Sequence, residues 1–187
     1  MTAAGGGPQS DLRRAALTPS SSPNDALPLV DARQLSFNQA TAEWASLRAV
    51  VDACARHGVP GISVWRHKLA EVGVDVAARL IRDAGLHVSS VCRGGMFPAA
   101  SAAERAARID DSRRAIDEAA ALGAEVLVLV CGAAPNRDIS AAREMVADGI
   151  AAIAPYAAER HVGSELSRST PRLRRSGRAS RRCARRV

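Results

Sequence analysis

From Gln34 onward the apolar positions follow two periods that alternate along the chain. Short, densely apolar runs are followed by longer stretches in which apolar residues recur every three to four positions. Residues 34–38 form the first strand-like run. Trp44, Leu47, Val50, Val51 and Cys54 then mark one helical face, closed by His57-Gly58, where glycine suits a left-handed cap. The second strand is 61–65, and Val76, Leu80, Ile81 and Ala84 line the helix after it, which closes at Gly85. The third strand is 86–92. Its helix opens with the capping box Ser101-Ala-Ala-Glu104, carries Ile109, Ile116 and Ala119, and closes at Gly123. The fourth strand, 125–131, is apolar almost throughout, as a strand covered on both faces should be. A fourth helix spans about 140–160, with Met145, Gly149, Ile150, Ile153 and Ala157.

Such alternation predicts an α/β chain with a parallel sheet and crossover helices, either doubly wound or a (β/α)8 barrel. No G-x-G-x-x-G or phosphate-loop string follows any strand, which favours the barrel. About four βα units are present, so the expected fold class is a partial (β/α)8 TIM barrel, with residues 31–162 as its N-terminal half. Residues 1–30, rich in Ala, Gly, Ser and Pro and lacking a continuous apolar stretch, read as a disordered extension. After His161-Val162, where a glycine and a fifth apolar strand are due, neither period continues. Residues 163–187 read as an Arg-rich disordered tail.

Composition then changes the picture of charge. The formal net charge is +7, yet residues 31–161 hold 15 basic and 16 acidic side chains, and the last 26 residues hold nine Arg against one Glu. The basicity belongs to the tail. Two explanations stay open: a nucleic-acid-binding arm acting through phosphate attraction, and a stretch not selected to fold, such as an out-of-frame reading of a GC-rich gene. The four cysteines form no C-x-x-C pair, so reduced thiols in a cytoplasm are expected, and no apolar run is long enough for a membrane span.

Strand ends on one side of a barrel carry its chemistry. Here they supply Asn38 for hydroxyl groups, Trp65 for the apolar face of a sugar ring, and Arg66 and Arg93 for a carboxylate or phosphate. Gly94, with Gly95, allows close backbone approach to a ligand. Trp65 is equally suited to capping the core, and Arg66 to a surface ion pair. His67, beside Lys68, reads as a solvated loop residue rather than a base. His57 and His87 read as structural, and Cys92 and Cys131 as small core residues.

Leu35-Ser-Phe-Asn-Gln-Ala40, Ile62-Ser-Val-Trp-Arg66, Val88-Ser-Ser-Val-Cys-Arg-Gly-Gly95, Ile116-Asp-Glu-Ala-Ala-Ala-Leu-Gly-Ala124 and Ala154-Pro-Tyr-Ala-Ala-Glu-Arg160 stand in order. Together they resemble the sugar phosphate isomerase/epimerase family with a xylose isomerase-like TIM barrel, over about two-thirds of the chain. The resemblance implies a divalent metal (Mn, Mg or Zn) and proton transfer between adjacent carbons of a sugar or keto-acid substrate. Relatives include hydroxypyruvate isomerases, inosose dehydratases and an endonuclease branch. It also places the first metal-binding Glu on a fifth strand, in a string like Leu-Glu-Pro-Leu-His-Pro, with further ligands on later strands. No metal ligand or catalytic residue is therefore assigned here, and the chain reads as a truncated enzyme of impaired activity. Open edges on strands one and four are expected to favour self-association.

Overall fold

A computed structural model describes residues 31–167. Five strands form one parallel sheet in the order β1 (Ser36–Asn38), β2 (Gly61–Trp65), β3 (His87–Gly95), β4 (Val126–Val130) and β5 (Gly163–Ser167). Helices α1 (Leu47–Arg56), α2 (Arg66–Val72), α3 (Val74–Asp83), α4 (Ala102–Ala121) and α5 (Ile139–Glu159) connect them. A doubly wound sheet reverses its strand order at a switch point; this one runs straight through, as a barrel wall does. The residues expected to be disordered at 1–30, and those of the tail at 168–187, lie outside the described residues. No helix among the described residues is long and apolar enough to cross a membrane.

Helices α1, α3 and α4 end by the same device. Val59 N–H reaches Cys54 C=O at 2.9 Å past Gly58, Leu86 reaches Ile81 at 3.1 Å past Gly85, and Ala124 reaches Ala119 at 2.9 Å past Gly123. In all three the glycine holds a positive φ, +64°, +69° and +63°, which L side chains resist. α5 repeats the motif without glycine: His161 takes φ +56° and Val162 N–H bonds Ala157 C=O at 3.0 Å. A missing glycine therefore did not stop the pattern. The next residues form β5, which pairs with β4 in register from Val126↔Gly163 to Val130↔Ser167.

That strand corrects the expectation that no fifth strand follows Val162. Its residues, Gly-Ser-Glu-Leu-Ser, are all exposed and show no apolar alternation. Backbone pairing with β4 needs no side-chain pattern, so it leaves no trace in the sequence. The open edges among the described residues are consequently that of β1, the first strand as expected, and that of β5 in place of the fourth strand.

Two further positions differ from expectation. Trp44 lies outside the first helix rather than on its apolar face: α1 begins only after its cap Ser46, whose hydroxyl accepts from Ala49 N–H, and Trp44 is 90% exposed. The helix expected after β2 is two, divided at Gly73 (φ +84°), so Ala77 and Ile81 face the core while Val76 is exposed. The capping box at Ser101 and Glu104 forms as expected.

The register separates the two faces of the sheet. Ile62, Val64, Val88, Val91, Leu127 and Leu129 point towards the helices and form the core with Val50, Ile81, Ile116 and Ile153. The opposite, concave face carries Ser36, Asn38, Ser63, Ser90, Cys92, Val128 and Glu165.

Candidate functional site at the strand ends

The C-terminal ends of β2 and β3 border a cleft of about 310 Å³. Trp65, Arg66, His67, Cys92, Arg93 and Gly94 line it, joined by Gly95, Met96, Arg108 and Asp111. A larger groove, about 590 Å³, lies between α1 and α3 on the outer layer, among Arg48, Asp52, Val76, Arg79 and Asp83. No strand end reaches it, and the strand-end cleft is the better candidate on chemical grounds.

Trp65 is fixed from two sides. Its indole N–H donates to Asn38 Oδ1 at 2.9 Å, and its backbone N–H donates to Gln39 Oε1 at 3.1 Å. Asn38 Oδ1 also accepts from Ala40 N–H at 3.0 Å, so the start of the loop after β1 orients the amide that orients the indole. Gln39 is 1% exposed, and its Nε2 has no partner among the described residues. His67 sits edge-on to Trp65, with 5.8 Å between ring centroids, and its Nε2 lies 2.6 Å from Glu43 Oε1.

Arg66 does something other than wait for a ligand. Its Nε and Nη2 donate to Glu118 at 2.6 and 3.1 Å, its Nη1 and Nη2 to Asp111 at 2.9 and 3.2 Å, and Nη1 also to the Arg93 carbonyl at 3.3 Å. All five guanidinium donors are thereby used. These bonds raise its pKa against the opposing effect of burial and hold the Asp111 carboxyl below its ordinary value. Arg66 ties the start of α2 to α4 and to the end of β3.

Gly94 likewise has a packing reason: a Cβ there would stand 3.1 Å from Leu127 and Leu129 methyl groups, on the core side rather than the cleft side. Gly95, at φ +93°, would bring a Cβ to 2.5 Å from the Val130 carbonyl oxygen. Its N–H donates to Ser112 Oγ at 3.0 Å, and that hydroxyl donates to the Arg108 carbonyl at 2.8 Å. Arg93 is exposed, and neither it nor Arg108 has an ion-pair partner among the described residues. Burial pushes the Cys92 thiol up, which opposes a thiolate at neutral pH.

The strand ends thus bring Trp65, Arg66, Arg93 and Gly94 to one cleft, with Asn38 joined through the indole. Sequence reasoning missed Arg108 and Asp111. Asp111 and Glu118 stand seven residues apart on one helical face, a spacing that could have flagged a common partner for them. Arg108 carried no such signal.

A family model described as a xylose isomerase-like TIM barrel matches residues 51–165. The chain belongs to the xylose isomerase-like TIM barrel family. Protein SMc04130 from Sinorhizobium meliloti 1021 is similar to it at 45% identity and TM-score 0.70, over 73% of this chain and 50% of that one. A structure titled IOLI protein with a binding zinc atom shares the fold at 17% identity and TM-score 0.61, over 72% of this chain and 51% of that one. A D-psicose 3-epimerase solved in the presence of D-fructose does so at 16% and 0.58, over 69% and 50%. The chain spans about half the length of these barrels. No curated protein sequence matches it.

The described residues do not by themselves fit the divalent metal that membership implies. No group of three or more His, Cys, Asp or Glu converges among them. On the concave face, among the described residues, Glu165 is the carboxylate near Cys92, in register with Val128 and through it with Cys92.

Proposed function

We propose that this chain supplies the substrate-holding half of a barrel that isomerises or epimerises a sugar or keto-acid, in a cytoplasm that keeps Cys54, Cys92 and Cys131 reduced. The observation that carries the reading is the Asn38–Trp65 pair: an indole at the strand ends, held by an amide on the neighbouring strand beside the exposed Arg93. An indole so fixed presents a flat apolar surface to a sugar ring, and Asn38 Nδ2 supplies N–H donors for hydroxyl groups. Arg93 is the cation for a charged end of the substrate. Arg66 and Gly94 enter this reading as positioning residues, because one is bonded to carboxylates and the other packs on β4.

Isomerisation also needs a base and a group that stabilises a developing oxyanion, and the described residues assign neither. The test is proton exchange at the carbon next to the carbonyl of ketoses and keto-acids in D₂O, followed by NMR with Mn²⁺, Mg²⁺ or Zn²⁺. Exchange should be slow with the chain as it stands. It should rise at least tenfold when the later strands are supplied from the Sinorhizobium relative, and fall by a similar factor in Trp65→Ala. Exchange indifferent to a chelator, or none from the completed barrel with any substrate of either class, would sink the reading.

A further inference from the structure

Two cationic side chains border the same cleft and lack a carboxylate partner among the described residues. Asp111 is shared by Arg66 and Arg114, and Glu118 is taken by Arg66, which leaves Arg93 and Arg108 uncompensated. The backbone of each is fixed from behind. The Arg93 carbonyl accepts from Arg66 Nη1, and the Arg108 carbonyl accepts from Ser112 Oγ, which in turn accepts from Gly95 N–H. The end of β3 and the second turn of α4 are thereby fixed to one another, one arginine on each.

We propose that the cleft between the end of β3 and α4 binds an oxyanion, phosphate or carboxylate, between Arg93 and Arg108. Like charges facing a shared cavity repel, and an anion between them removes that repulsion while accepting forked N–H donors. A cation is disfavoured by the same two charges. Arg66 cannot serve, since its five donors are bonded already; its part is to hold Arg93 in place. The cavity, about 310 Å³, has room for a sugar-sized molecule carrying such a group against Trp65. The inference deepens the isomerase reading by naming the charged class of substrate, and rests on it only for what the anion does in turnover.

The experiment measures binding without metal or turnover. Arginines of the full-length chain are modified with phenylglyoxal at low ionic strength, with and without inorganic phosphate or D-gluconate, and the sites are mapped by mass spectrometry. Phosphate or gluconate should slow modification of Arg93 and Arg108 at least threefold while leaving Arg48 and Arg79 on the outer groove unchanged. Whichever anion protects at the lower concentration identifies the group. Titration calorimetry of the Arg93→Ala/Arg108→Ala double variant should show at least tenfold weaker phosphate binding, with the circular dichroism spectrum preserved. Equal protection of all arginines, no protection of this pair, or unchanged binding in a folded double variant would overturn the inference. Metal-dependent exchange in the completed barrel is a separate readout: its absence would count against the isomerase reading and leave the anion site standing.

Discussion

The two faces of the sheet are built by opposite rules. Towards the helices, Leu127 and Leu129 are fully buried, and Ile62, Val64 and Val91 meet the apolar sides of α1, α3, α4 and α5. One residue along in each strand the side chains turn to the concave face, where Ser63 and Ser90 bond each other at 2.7 Å, Ser36 bonds Ser89 at 2.6 Å, and Val128 is half-buried. The helical face holds the fold together through burial. The concave face is held by hydroxyl contacts and awaits something else to cover it. A strand whose two faces differ this much ties stability to one set of residues and leaves the other set outside the core.

The sharpest way to break the comparison is a neighbouring pair. Leu127→Ala, on the helical face, should lower stability by about 3 kcal/mol, and Val128→Ala by less than about 1.5 kcal/mol. Urea denaturation followed by circular dichroism reads both, and equal losses would mean that the faces do not divide the work. Next in size is the charged tie between the strand ends and α4. Arg66 is 20% exposed, and Arg66→Ala leaves Glu118 without its cation and Asp111 with Arg114 alone, for a loss of about 2 kcal/mol. Arg66→Lys should recover little of it, because a point charge cannot bond both carboxylates in a planar fork.

The pH dependence of that tie has a definite sign. Asp111 is more acidic in the folded chain than its ordinary value of 3.8, chiefly through its hydrogen bonds with Arg66. Its contribution is complete above the unfolded value and is lost as pH falls through the lower folded one. With Asp111 43% exposed, solvent screening limits the effect. Asp111→Asn should cost about 1 kcal/mol at pH 7, and the gap to the parent should close below about pH 4. The smallest effect concerns the helical layer's last cap: His161→Gly should stabilise by about 0.5–1 kcal/mol, since glycine occupies φ +56° without strain. A loss of stability in thermal melts would show that the imidazole is needed there.

The sequence made the helical side legible because burial leaves a period. The strand 61–65, the cap at Ser101 and the three glycine stops all reflect local rules, and the structure reproduces them. β5 was invisible, since it rests on backbone pairing with β4 alone, and Trp44 misled because an apolar residue at helical spacing need not be in the helix. The site was legible as a neighbourhood rather than as roles. Trp65 and Arg93 reach the cleft as strand-end positions should. The fate of Arg66 depended on two carboxylates 45 and 52 residues away, and no local pattern announces a contact across that distance.

Gly163–Ser167 has one more consequence, for how the molecule behaves in company. β4 offers a sequence of five consecutive Val and Leu residues, the kind of segment that recruits like segments from other chains. β5 occupies its free edge with a strand of glycine, two serines and one glutamate around the exposed Leu166, so the rim presented to a neighbour is more polar than β4. Five residues with no share in the core thus stand between β4 and the outer edge of the sheet. A chain that lost them would keep its helix-packed layers and lose its protection from its own copies.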